Sequence, residues 1–295
     1  MSKFTYKRLE KLGEGAYAIV YKGERLPDRR TVALKYNDRS QYIFERELHV
    51  LRHLRQCQRR HANIANLLDE FETEEPKTDP FSETLPVMVL EYAPISLVVL
   101  IERDRIPFPK LAPFVAQLNE ALRFLRDSHV IHRDINPANL QLTDTGTLKI
   151  IDFGSAVHLG STVECNRAMT PDVCTLWYRA PETLETSSCG ATYNYSVDMW
   201  STGCVLAELC TGMPIFDEDE ESTELTIIKT KDVKKHLETR ILLSNDDNEL
   251  LVELISKMLE IDPEKRITPL EVSNHQYLKV NHPIPRRIYL KKLTL

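Results

Sequence analysis

Asp134, Asn139 and Asp152 are the residues whose types and spacing could do the most chemistry, the latter two lying 5 and 18 positions beyond the first. Such a set can place a carboxylate base, an amide oxygen and a second carboxylate around one Mg²⁺-bound nucleotide. Asn136 stands between the first two. Far upstream, Lys35 ends the apolar run Val32-Ala33-Leu34, where an ammonium group is costly without an anion beside it. Glu47 is the expected partner, because it shares the apolar face of a helical segment with Leu51 and Leu54, whereas Glu45 shares a face with His49 and Arg52. The plainer alternative is an edge lysine reaching out to water. Gly13-Glu14-Gly15-Ala16-Tyr17-Ala18-Ile19-Val20 is a small-residue loop whose backbone N–H groups could approach phosphates. Taken alone, it would serve equally as a structural hairpin.

These side chains need elements to hold them. Tyr17–Tyr21, Thr31–Lys35 and Val87–Leu90 are short β-branched or aromatic runs, separated by turn material such as Pro27-Asp28-Arg29-Arg30. Between Gln41 and Gln58 the spacing of Phe44, Leu48, Leu51 and Leu54 is helical. Glu72 to Pro86, rich in Glu, Thr and Pro, is expected as an exposed loop, and Glu91–Ser96 as a connector. Beyond residue 96 the pattern turns helical, with Phe114, Leu118, Leu122 and Leu125 in one period and Leu250, Leu254 and Met258 in another. An apparent hairpin spans Leu140–Ile151. The expected fold class is α+β, a small antiparallel β lobe with one helix followed by a larger, mainly helical lobe.

Composition excludes several alternatives. With 42% apolar and 28% charged residues in 295, the chain is an ordinary folded protein and not a disordered or fibrous one. Its net charge of −6 disfavours general nucleic-acid binding, although Lys279, Arg286, Arg287, Lys291 and Lys292 form a basic tail. The 6 cysteines form no C-x-x-C pair, which fits reduced thiols. No signal peptide or membrane-length apolar run is visible, so a soluble intracellular protein is expected. Glycine is scarce at 9 residues, which makes each one more telling.

Five runs stand in a fixed order: the glycine loop, Val32–Lys35, His132-Arg133-Asp134-Ile135-Asn136-Pro137-Ala138-Asn139, Asp152-Phe153-Gly154, and Trp177-Tyr178-Arg179-Ala180-Pro181-Glu182. On these the chain resembles the eukaryotic protein kinases over residues 6–280. Trp177–Glu182 and Tyr195–Cys204 are similar to the cyclin-dependent branch. Within that branch Ala18 at the third glycine position, Asn166–Thr170 and the stretch Tyr277–Arg287 resemble the CDK-activating kinase of transcription factor TFIIH. The resemblance implies a kinase domain over 4–278, divided into lobes 4–93 and 94–278, then a tail 279–295. It implies ATP and Mg²⁺ as cofactors. Leu12, Gly13, Glu14, Gly15, Ala16, Tyr17, Ala18, Ile19, Val20, Ala33, Lys35, Glu47, Leu90, Glu91 and Ala93 would bind ATP. Asn139 and Asp152 would hold the metal, and Asp134, Lys35 and Asn136 would be catalytic. Thr170 would be a phosphosite, received by Arg133 and Arg46, with Ser161 a lesser candidate. The implied activity is Ser/Thr phosphorylation, directed to Ser/Thr-Pro by the segment Val173–Arg179, on a protein substrate. A cyclin, a TFIIH-type complex and a nuclear location are implied partners and setting.

This sequence departs from the pattern in three places. Val157 replaces the third basic residue of the phosphate clamp. Asn136 stands where such kinases usually carry lysine, so a donor to the γ-phosphate is retained without its charge, and a slower enzyme or a scaffolding pseudokinase is the alternative. Lys35 to Glu47 spans only 12 residues and holds no PSTAIRE-like sequence, leaving cyclin binding to analogy.

Overall fold

In the computed structural model the chain divides into two compact units, Met1–Ala93 and Pro94–Leu295. The described residues are 4–15, 17–37, 40–57, 61–74, 84–103, 111–160, 176–184, 194–216, 237, 246–281 and 288.

The first unit is an antiparallel sheet of five strands, β1 (Thr5–Glu14), β2 (Ala18–Leu26), β3 (Arg30–Asn37), β4 (Leu67–Thr73) and β5 (Leu85–Glu91), in the order β1-β2-β3-β5-β4. Alternate residues of a strand face opposite sides. Val32, Leu34 and Tyr36 of β3 therefore join Val87 and Val89 in one core, with Tyr6, Tyr21, Leu68 and Phe71 packed on it. The intervening Ala33 and Lys35 face the other way. Register puts Val20 and Met88 beside Lys35, and Leu90 beside Ala33, on that second face. Helix α1 (Gln41–Gln56) begins where the Ser40 hydroxyl accepts the N–H of Ile43, and it buries Phe44, Glu47, Leu48, Leu51 and Leu54. Sequence periodicity gave no signal for β1, whose residues are all exposed except the half-buried Tyr6 and Leu9. The expected loop Glu72–Pro86 is narrower than predicted, since Glu72 pairs with Pro86 and Thr73 with Leu85.

The second unit is helical with short strands. Helix α2 (Leu97–Arg103) follows β6 (Ile95–Ser96), and α3 (Leu111–Asp127) buries Phe114, Leu118, Leu122 and Leu125. Strands β7 (Val130–Ile131), β8 (Leu140–Leu142), β9 (Leu148–Ile150) and β10 (Val157–His158) form two small ladders, β6-β8-β9 and β7-β10. The expected hairpin Leu140–Ile151 appears as the β8–β9 pair, while β6, β7 and β10, each of two residues, are too short to print a period of two on the sequence. Next come α4 (Pro181–Leu184), α5 (Ser196–Thr211), α6 (Asp246–Met258), α7 (Pro269–Ser273) and α8 (Gln276–Val280). Helix α5 is buried on every side from Val197 to Cys210, which explains its irregular apolar spacing. At Gly203 a Cβ would come within 2.9 Å of Leu259 and Met258, so the absent side chain is what lets that segment approach the helix.

Candidate active site

In the first unit β1 runs through Gly13 and Glu14, and β2 starts at Ala18. The turn between them closes with Gly15 N–H donating to the Ala18 carbonyl at 2.9 Å. A Cβ at Gly13 would meet nothing within 4 Å, and one at Gly15 would only touch the Ala18 oxygen at 3.9 Å. Packing therefore does not demand glycine at either place. Ala18 and Ile19 are buried in the sheet, Leu12 and Tyr17 are exposed, and Ala16 lies outside the described residues.

Lys35 Nζ donates to both carboxylate oxygens of Glu47, at 2.8 and 2.7 Å. The Glu47 side chain is 2% exposed and that of Lys35 12%, so each charge is held in a desolvated setting by the other. Glu45 faces solvent and accepts from the Gln41 amide. At the end of β5, Glu91 donates its N–H to the Asn66 carbonyl at 3.1 Å, while its carboxylate accepts from Asn66 N and Nδ2 at 3.3 and 2.9 Å. Asn66 thus braces the strand end. It was not foreseen, because an Asn outside any run gives no signal. Leu90 and Ala93 are buried nearby in sequence.

In the second unit the segment 132–139 is fixed from below by α5. The buried Asp198 carboxylate accepts from the backbone N–H of His132 and of Arg133, both at 2.8 Å. Burial pushes the Asp198 carboxyl up from its ordinary range, against the pull of His132 and those two bonds. Arg133 stands at φ +66°, a left-handed conformation that the two Asp198 bonds help to hold. His132 Nε2 lies 3.0 Å from the Ile151 carbonyl, and its ring meets that of Phe153 edge-on at 4.9 Å. Arg133 Nε donates to Ser155 O at 2.5 Å. These contacts tie 132–134 to 151–155.

Asp134 receives the two asparagines. Its Oδ1 accepts from Asn136 Nδ2 and its Oδ2 from Asn139 Nδ2, both at 2.8 Å. Its carbonyl accepts the same two amides at 3.3 and 2.9 Å. With both Asn139 hydrogens so placed, the side-chain oxygen of Asn139 is what it can offer a cation. Asp152 is exposed at φ +58°, with one oxygen accepting the Gly154 N–H at 3.2 Å. Val157, at the expected third basic position, is paired with Ile131 in the β7-β10 ladder and buried. Thr170, Ser161 and residues 173–175 lie outside the described residues. Glu182 on α4 holds Arg266 through two bonds of 2.6 and 2.9 Å, and the Arg266 guanidinium also lies 5.1 Å over the Trp200 ring.

A glycine turn before a lysine–glutamate pair, and an Asp-Asn frame tied to an exposed aspartate, on a β-sheet unit followed by a helical one, define a protein kinase. The protein kinase domain model matches residues 6–278, and the chain belongs to that family. It is 30% identical to mitogen-activated protein kinase mpkB of Aspergillus fumigatus, over 94% of this chain and 83% of that protein. It is 29% identical to mitogen-activated protein kinase 2 of Pneumocystis carinii, over 94% and 84%, and to extracellular signal-regulated kinase 1 of Candida albicans, over 94% and 74%. The chain is an ATP-dependent serine/threonine protein kinase, of a family that uses ATP and Mg²⁺ and acts on proteins. Two of these relatives carry mitogen-activated names and the third an extracellular signal-regulated one, so they do not single out the cyclin-dependent branch. Among the described residues no helix is long and apolar enough to cross a membrane.

Proposed function

We propose that this kinase transfers the γ-phosphoryl group of ATP to Ser or Thr followed by Pro, with Asp134 as the base. The observation that carries this reading is the Asp134 carboxylate itself, fixed by two amides on a loop anchored to α5. The substrate hydroxyl gives its proton to Asp134 as its oxygen bonds to the γ-phosphorus, and ADP leaves with the electrons of the broken P–O bond. Lys35, aligned by Glu47, neutralises the α/β-phosphates, while the backbone around Gly13 and Gly15 covers them. Val20, Ala33 and Leu90 share one sheet face suited to an adenine ring, and Glu91 and Ala93 supply its backbone partners. The amide oxygen of Asn139 and the exposed carboxylate of Asp152 are hard oxygen donors that suit Mg²⁺, which when bound neutralises phosphate charge.

Proline direction rests on the likeness of Val173–Arg179 to the cyclin-dependent pattern. A cyclin, a TFIIH-type complex and a nuclear role belong to the same likeness. The short Lys35–Glu47 interval gives a cyclin little of the segment it would grip, and the relatives' names do not add to that reading. The Asn136 substitution favours a second reading, a scaffold of low turnover. Radiolabelled ATP with a Ser-Pro peptide, its Ser-Ala counterpart and an Asp134→Asn control decides between them. Label on the Ser-Pro peptide alone, lost in the control, supports the proposal; equal label from both proteins defeats the enzyme reading of Asp134.

A further inference from the structure

We infer that Asn136 is a positioning residue that works through Asp134, and that it makes no contact of its own with the phosphate being transferred. The inference rests on the assignment of Asp134 as base. It replaces the expectation, drawn from the position of Asn136 in the loop, of a neutral donor aimed at the γ-phosphate.

The hydrogen bonds of this one amide account for all it has. A primary amide owns two hydrogens and one oxygen with two lone pairs. The oxygen of Asn136 accepts the N–H of Ala138 at 2.9 Å and of Asn139 at 3.1 Å. Its Nδ2 donates to the carboxylate of Asp134 at 2.8 Å and to the Asp134 carbonyl at 3.3 Å. The side chain is buried, so these bonds form out of competition with water. No hydrogen remains to reach outward.

Both ends of the amide have a reason. Pro137 opens a 3₁₀ turn, Pro137–Asn139, in which Ala138 and Asn139 present the first N–H groups, that of Asn139 also reaching the Asn136 carbonyl at 3.1 Å. An amide oxygen caps them; an ammonium group, having no acceptor, could not. The same turn carries Asn139, whose amide holds the other oxygen of Asp134. Asn136 therefore sets Asp134 twice, directly through Nδ2 and indirectly by capping the turn that presents Asn139. Asp134 is clamped between two neutral amides, and position 136 contributes orientation where a lysine would contribute charge.

Asn136→Asp tests this while keeping the cap, because a carboxylate still accepts from Ala138 and Asn139. It replaces the donor facing Asp134 with a second carboxylate. The expected result is a fall in kcat of about 10²-fold, the scale of a misplaced reacting group, with KM for MgATP unchanged. A raised KM for MgATP with kcat retained would instead show a direct nucleotide contact and overturn the inference. The second measurement needs no turnover. Asn136→Asp should lower Tm by about 2–4 °C, and adding Asp134→Asn should recover most of that loss. In the double variant the new amide at 134 donates to the carboxylate at 136 and accepts from Asn139. If the two single losses simply add, the residues are not coupled and the inference falls. A wild-type protein without peptide turnover would count against Asp134 as base, while the Tm cycle would still decide whether Asn136 acts on it.

Discussion

Lys35 and Glu47 show how a single pair is held by its surroundings. Neither charge is well hydrated, so the pair is sustained by two short hydrogen bonds and not by solvent. Removing one member of a buried pair leaves the other uncompensated, which typically costs more than the pair itself gains. Glu47→Ala is expected to lower stability by about 3 kcal/mol and to raise KM for MgATP, as seen in denaturant titration and steady-state kinetics. Glu47→Gln, which keeps the shape and one acceptor, should lose less stability but still weaken MgATP binding. Glu45→Ala, on the solvent side of the same helix, should change neither. Comparable losses from Glu45→Ala and Glu47→Ala would refute this reading. The choice between the two glutamates was legible from helical periodicity alone, since only Glu47 shares the apolar face.

Helix α5 acts as the element on which the second unit's functional loops hang. From its N-terminal half Asp198 holds His132 and Arg133, and Ser201 Oγ donates to the Tyr178 carbonyl at 2.7 Å. One turn before its end, Glu208 accepts the Tyr178 hydroxyl at 2.6 Å. None of this was legible in the sequence, because a helix buried all round offers no face to read, and polar residues inside it look like interruptions. Burial pushes the Glu208 carboxyl above its ordinary range, opposed by the Tyr178 bond. A carboxyl raised on folding adds stability that is complete below its unfolded pKa and is lost as pH rises through its folded one. Glu208→Gln keeps an oxygen for Tyr178 and removes that ionisation. The Tm of the wild type minus that of Glu208→Gln should therefore fall as pH is raised between about 4 and 7. Thermal melts across that range check it; a difference independent of pH would mean that folding does not raise the Glu208 carboxyl.

At the scale of the whole chain, order along the sequence was more legible than closure in space. The succession from Gly13 to Glu182 could be read because each motif's residue types are dictated by local chemistry. The Leu140–Ile151 hairpin was read too, but not what rests on its turn. Gly146 stands at φ +75°, and its carbonyl accepts the N–H of Ile288 at 2.8 Å and the Gln117 amide at 3.3 Å. Ile288 is buried although it lies within the basic segment that composition alone marks as a solvated tail. A long-range backbone contact of this kind leaves no pattern in the sequence. A Cβ at Gly146 would sit 2.0 Å from the Ile288 carbonyl oxygen, and the left-handed conformation itself costs an alanine about 1–2 kcal/mol. Gly146→Ala should therefore both strain the turn and expel Ile288, whose burial is worth about 1.5–3 kcal/mol. The expected outcome is a lower Tm together with faster protease cleavage after residue 281. Ile288→Ala, which leaves the turn relaxed, should give the faster cleavage with a smaller loss of Tm. If Gly146→Ala leaves the cleavage rate unchanged, the segment is anchored elsewhere and the turn does not govern it.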